Sequence, residues 1–347
     1  MTSLSKRERV LRTIQHQDTD RVPVYDILQN DALIEHLAGE HLTVANGDRV
    51  RARAISRCLD MTRMPAGPKA PGVRFSPEGL TIRDERWTSW IVERPWCDWD
   101  GLIDWVQSEI ARVDTLVYDS AFAETFWGRM DHYQALFGDD TVQVVESGVG
   151  LTEMYWAVGW ERFSYLLADE PDLVVAWLEA RFRAEMRRIA VIADPRHITV
   201  ALPYDDIAYK NGTLISPRWL RAHWVPRLRE LVGAWQARDI YCLYHSDGDL
   251  WEVMDDLVDA GIDGLNPIEV AAGMTVAMVR ERYPQLFLTG GIDVSQLLPL
   301  GTPEEVSEAC RENIRATEGL GYFLGSTTEL HWDIPTENIL AMFRSAR

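Results

Sequence analysis

Cysteine is scarce in this chain. Its four cysteines, Cys58, Cys97, Cys242 and Cys310, share no close spacing. That excludes a disulfide framework and a CxxC-type zinc site, and fits reduced thiols. Basic charge is also short: 35 Lys and Arg stand against 54 Asp and Glu, a net charge of -19. That balance argues against nucleic acid and anionic membrane as partners, and much of that charge reads simply as a solvated surface. No apolar run is long enough to span a bilayer, and no signal peptide opens the chain. The expectation is a soluble, cytoplasmic protein. A Gly-rich dinucleotide fingerprint and a phosphate-binding P-loop are missing as well.

What is present is a long chain with ample core material: 347 residues, 46% of them hydrophobic, with 14 Trp. That length suits one large barrel or two medium domains. Its most informative stretch is Tyr241 to Gly248. Apolar residues lead into His245 and Asp247, two apart and so on one side of an extended backbone. Gly248 then permits a sharp turn before a helical pattern at about 250–260. An imidazole and a carboxylate thus stand at the carboxyl end of a strand, where barrel enzymes do their chemistry. The same residues also read as a helix cap (Asp247) and a buried hydrogen-bonding imidazole (His245).

From about residue 140 onward, strand, polar turn and helix alternate about six times. Short apolar strands end in Glu146, in Tyr204-Asp205-Asp206, in His245, before Glu269, before Asp293 and before Glu329. Upstream, Ser5 caps a first helix, a short strand runs to Asp26 past Tyr25, and 30–60 is mainly helical. The expected fold is α/β: a (β/α)8 TIM-type barrel over 1–347 as a single domain, with an irregular insertion near residues 60–100. A doubly wound open sheet is the alternative. The insertion carries Trp87, Trp90, Trp96 and Trp99, and reads as a self-packed hairpin, a lid, a substrate wall or a homodimer contact. Tyr25, Glu146, Tyr204, Asp205, Asp206, His245, Asp247, Glu269, Asp293 and Glu329 would share one rim of the barrel.

Several segments together resemble the uroporphyrinogen decarboxylase superfamily, which includes corrinoid- and coenzyme-M-linked methyltransferases. They are the opening Lys-Arg-Glu-Arg-Val-Leu with Asp20-Arg-Val-Pro-Val24, Tyr204-Asp-Asp, Ile215-Ser-Pro, His245-Ser-Asp-Gly, Ala260-Gly-Ile-Asp-Gly-Leu-Asn-Pro, Gly290-Gly-Ile-Asp293 and Pro335-Thr-Glu-Asn338. The resemblance implies a barrel with its site at the strand carboxyl ends. Decarboxylases of this family carry an Arg-rich segment after the first strand; here Tyr25 to Asp31 has no arginine, which disfavours a polycarboxylate porphyrinogen. The methyltransferase branch holds zinc through His-x-Cys and a later Cys. Here His245 matches, Asp247 stands at the first Cys, and Thr328 at the second with Glu329 beside it.

The resemblance therefore implies a harder site, with His245, Asp247 and Glu329 holding zinc or another divalent ion. A metal-free alternative has His245 as acid/base oriented by Asp247. The expected enzyme moves a methyl group from a small methylated compound to a corrinoid protein or a folate-type carrier. Asp205, Asp206, His245 and Asp247 would be catalytic; Tyr25, Tyr204, Glu146, Lys210, Glu269 and Trp87 would bind substrate. Two alternatives remain: a decarboxylase-type lyase on a small carboxylic acid, with Lys210 as its cation, and a non-catalytic subunit that binds a corrinoid or tetrapyrrole.

Overall fold

The computed structural model describes residues 3–347. Twelve strands occur along it: β1 (Met61–Arg63), β2 (Gly72–Phe75), β3 (Thr81–Asp84), β4 (Ser89–Glu93), β5 (Val142–Ser147), β6 (Val200–Pro203), β7 (Ala208–Tyr209), β8 (Gly212–Thr213), β9 (Tyr241–His245), β10 (Gly264–Ile268), β11 (Phe287–Ile292) and β12 (Tyr322–Ser326). Seven of them form one parallel sheet in the order β1-β5-β6-β9-β10-β11-β12. Its two edges are joined by the short extended stretch at Val24 and Tyr25. Val24 bridges Leu324 and Tyr25 bridges Met61, both in parallel. Tyr25 N donates to Leu324 O at 3.0 Å, and Asp60 N donates to Val24 O at 2.9 Å. These bonds curl the sheet into a TIM-type barrel. Gly325 makes the closure possible, because a Cβ there would run into the carbonyl oxygen of Tyr25.

The barrel strands are buried on both faces, which is why they read as short apolar runs and not as alternating ones. Inward side chains of Tyr25, Met61, Val144, Leu202, Leu243, Phe287 and Phe323 fill the lumen, and Val10 and Ile14 of the first helix pack on the same cluster. That helix, Lys6–Ile14, starts at Ser5, whose hydroxyl accepts from Glu8 N at 3.2 Å. The outward faces pack under the surrounding helices in a second, larger core. Filling the lumen below leaves polar chemistry only at the mouth, above the last inward apolar residues.

The inserted segment starts after Arg63, since Met61–Arg63 is a barrel strand and not part of the insertion expected near 60–100. Its body is a three-stranded antiparallel sheet, β2-β3-β4. Two of the hydrogen bonds that tie the sheet to the rest of the chain come from its own tryptophan and arginine. Trp87 Nε1 donates to Asp31 Oδ1 at 2.8 Å, and Arg94 Nε donates to Ala157 O at 2.8 Å. The small hairpin β7–β8, absent from the expectation, follows β6 and carries Lys210. Among the described residues no helix is long and apolar enough to cross a membrane.

Candidate active site

The mouth of the barrel is built from strand ends. β9 delivers His245, and the turn after it delivers Asp247. Gly248 closes that turn at φ +98, where a Cβ would stand 2.5 Å from backbone atoms of Ala208 and Tyr209. Only glycine fits so tight a left-handed approach. Gly248 N also donates to Glu269 Oε2 at 2.6 Å, drawing the segment after β10 against the turn. The segment after β6 brings Asp206, whose Oδ1 accepts from Asp247 N at 3.3 Å and lies 3.6 Å from His245 Nε2. Asp206, His245 and Asp247 each offer one ligand atom, and these atoms all lie within 4.8 Å of one another.

His245 is oriented from behind. Its Nδ1 lies 2.7 Å from Asn266 Oδ1, and Asn266 Nδ2 in turn donates to Thr289 Oγ1. A carbonyl oxygen at that distance places the proton on Nδ1 and leaves the Nε2 lone pair facing the two carboxylates. Arg63 Nη2 stands 3.0 Å from the same Nδ1; being a donor only, it acts on the protonated Nδ1 through its charge and not by a hydrogen bond. Burial, with Arg63 adding to it, lowers the pKa of His245 well below the usual histidine value, so the imidazole is neutral.

The carboxylates behave in the opposite sense. Burial, then the charges of Asp206 and Glu269, raise Asp247 to about 8. One of its oxygens, Oδ1, is buried with no hydrogen-bond partner. Burial also raises Asp206 and Glu329. Burial is the main cause in each case, and neighbouring acids add to it for Asp206 and Asp247; Asp247, at about 8, keeps its proton at neutral pH.

Not all of the expected residues gather at this point. Asp205 is fully buried and turns away: its carboxylate accepts from Thr152 N at 2.7 Å and Trp224 Nε1 at 2.9 Å. Its bonds tie two helices to the rim, and burial raises it to about 7. Glu329 acts on Asp247 through charge but is not one of the three clustered groups; Asp206 takes the third place. Asp293 caps a short helix, accepting from Gln296 N at 2.8 Å and Leu297 N at 3.0 Å. Lys210 is exposed on the β7–β8 hairpin. Trp87 is held by Asp31 with the Arg51 guanidinium 5.0 Å from its ring centroid, so it anchors the insertion. Tyr204 is hydrogen-bonded to Glu153, and with Glu146, Arg181 and Arg188 it lines a polar cavity of about 320 Å³ beside the cluster.

The cation at the mouth is Arg63, a residue that sequence reasoning missed. It donates to Glu146 Oε1 with Nη1 at 3.0 Å and sets its positive charge next to His245, and Tyr25 lies beside it. The Tyr25 hydroxyl and Arg63 Nε are both buried without a hydrogen-bond partner. Asp26 was missed as well: it accepts from Ser326 N at 2.8 Å and Ser326 Oγ at 2.9 Å, and burial raises it to about 7.

Comparison with known proteins places this geometry. Over 98% of its own length and 99% of this chain, a methyltransferase from Methanosarcina mazei superposes with a TM-score of 0.69 at 17% identity. At that identity the likeness is one of fold. A xylose isomerase-like TIM barrel protein from Mycobacterium smegmatis, in complex with magnesium, has a TM-score of 0.35 at 12% identity over 71% of this chain and 88% of its own. D-psicose 3-epimerase from Clostridium cellulolyticum H10 likewise has a TM-score of 0.35 at 12% identity, over 74% and 92%. Neither of these two is close enough to carry an argument. No curated protein matches the sequence. The uroporphyrinogen decarboxylase (URO-D) family model matches residues 159–347, more than half of the sequence and with it Asp206, His245 and Asp247; the chain belongs to that family.

Proposed function

We propose that this protein is a methyltransferase that moves a methyl group from a small methylated compound to a corrinoid protein or a folate-type carrier. The observation that carries the reading is the meeting of Asp206, His245 and Asp247, with Asp247 Oδ1 buried and unsatisfied. A buried oxygen without a partner is costly unless something binds it. One imidazole and two carboxylates suit zinc or another divalent ion of similar hardness. When bound, such an ion supplies Lewis-acid polarisation of the atom that carries the methyl group.

The chain's own residues do the rest. His245 presents its Nε2 lone pair because Asn266 holds the proton on Nδ1. Asp247 retains a proton at neutral pH and would have to give it up to hold an ion. Arg63 supplies positive charge next to His245 and Glu146. The full-length likeness to a protein named as a methyltransferase supports this branch of the family.

Arg63 also favours a second reading, a lyase that decarboxylates a small acid, because such chemistry needs a cation near the leaving carboxylate. A single assay separates the two: methyl transfer to cobalamin with no carbon dioxide released supports the first, and carbon dioxide release without methyl transfer supports the second. For the site itself, chelator-treated protein is expected to take up one equivalent of zinc. Absence of uptake by the wild type removes the metal from the account.

A further inference from the structure

Beside the acid cluster lies a second, larger hollow of opposite character. It holds about 870 Å³ between β4 and the helix Leu151–Val158, and its walls include Trp90, Ile91, Arg94, Tyr155, Trp156 and Trp160. Trp90 is 53% exposed, Trp156 58% and Trp160 38%. Indoles left this wet cost hydration unless a flat apolar partner covers them. Tyr155 forms the inner wall. Its ring meets Trp160 edge-on at 5.1 Å, and its hydroxyl donates to Asp206 O at 3.1 Å. A tyrosine that walls the hollow thus also touches the main chain of Asp206, one of the three clustered residues.

Charge narrows the occupant. In a chain of net charge -19, no carboxylate lines this hollow among the described residues, and of these Arg94 is the one charged side chain on its wall. Arg94 is held in place by the carbonyls of Ala157 and Trp156. A quaternary ammonium would find aromatic faces here but also a fixed guanidinium, which repels it. An aromatic ring with an anionic substituent finds stacking faces and the complementary charge. The volume lies in the range of drug-sized ligands and far exceeds what a one-carbon compound fills.

We propose that this hollow binds the aromatic-acid body of the substrate whose methyl group the clustered residues act on. The assignment rests on the methyltransferase reading for its role, but its binding test does not. Naphthoate is the probe, titrated into the full-length protein and followed by tryptophan fluorescence and calorimetry. Naphthoate is expected to bind at least about tenfold more tightly than its saturated decalin analogue or naphthyl-trimethylammonium. Trp156→Ala and Trp90→Ala, both at half-exposed positions, are expected to weaken it about tenfold while thermal midpoint and zinc uptake stay unchanged. Arg94→Gln is expected to abolish the preference for the acid over the cation.

Equal binding of the cation, no saturable naphthoate binding, or wild-type affinity in both tryptophan variants overturns the proposal. Naphthoate binding with these preferences in a protein that takes up no zinc supports the hollow and removes the metal reading alone. Zinc uptake without naphthoate binding removes the hollow alone.

Discussion

The two ends of the barrel hold buried carboxylates in opposite ways. At the base, Asp60 is fully buried, yet both oxygens are matched: Arg9 Nη1 donates to Oδ1 at 2.6 Å, Arg21 reaches both oxygens at 2.7 Å, and Val24 N donates to Oδ2 at 2.9 Å. Nearby, hydrogen bonds from Arg9 hold Asp20 well below the usual carboxylate range. At the mouth, Asp206, Asp247, Glu269 and Glu329 crowd around one arginine, and Asp247 keeps a proton to about pH 8. The base spends its charges on holding the chain together. The mouth leaves charges unmatched, a state that persists where a ligand completes it.

Removing a carboxylate at each end separates the two roles. Asp60→Ala strands Arg9 and Arg21 beside a void, and the expected loss of stability is about 3–5 kcal/mol in denaturant unfolding. Asp247→Asn is expected to do the reverse, raising the thermal midpoint of the metal-free protein at pH 8 while lowering turnover about 10²–10⁴-fold. A destabilised Asp247→Asn protein would break the comparison.

Acidity sharpens the contrast further. Unfolded aspartates titrate near pH 4, at about 3.9, whereas folded Asp247 titrates at about 8 and Asp26 at about 7. Between those values the folded chain holds more protons than the unfolded one, so stability falls as pH rises through that window. Asp20 works the other way: its contribution is present above pH 4 and lost as pH drops below. Thermal melts of chelator-treated protein from pH 5 to 8 are expected to show a steady decline, flattened at its upper end by Asp247→Asn.

Arg63→Lys is expected to have a smaller effect, roughly a tenfold loss of turnover with little change in stability. A lysine keeps the charge but not the planar fork that donates to Glu146 beside His245.

The repeated strand–turn–helix pattern made the barrel legible, because doubly covered strands must be short and apolar. The His245-x-Asp247-Gly248 turn was legible for a local reason: period-two geometry and a glycine lie within four residues. Arg63 was not legible. Its strand is three residues long and leads straight from a helix, with no turn signal to mark it. The choice between Asp205 and Asp206 was closed to sequence for a different reason. Asp205 is claimed by Trp224, on a helical segment with a π turn at Leu220–Trp224 that no local pattern announces. Glu329 and Asp206 both follow strands, and only the register of the closed barrel decides which carboxylate reaches His245.

The most direct test of the central claim is calorimetric titration of zinc into chelator-treated wild-type, Asp206→Asn and Glu329→Gln proteins. The account predicts one equivalent bound by the wild type, affinity lowered more than about 100-fold by Asp206→Asn, and a much smaller change with Glu329→Gln. Unchanged binding in Asp206→Asn, with the loss falling on Glu329→Gln, would contradict it.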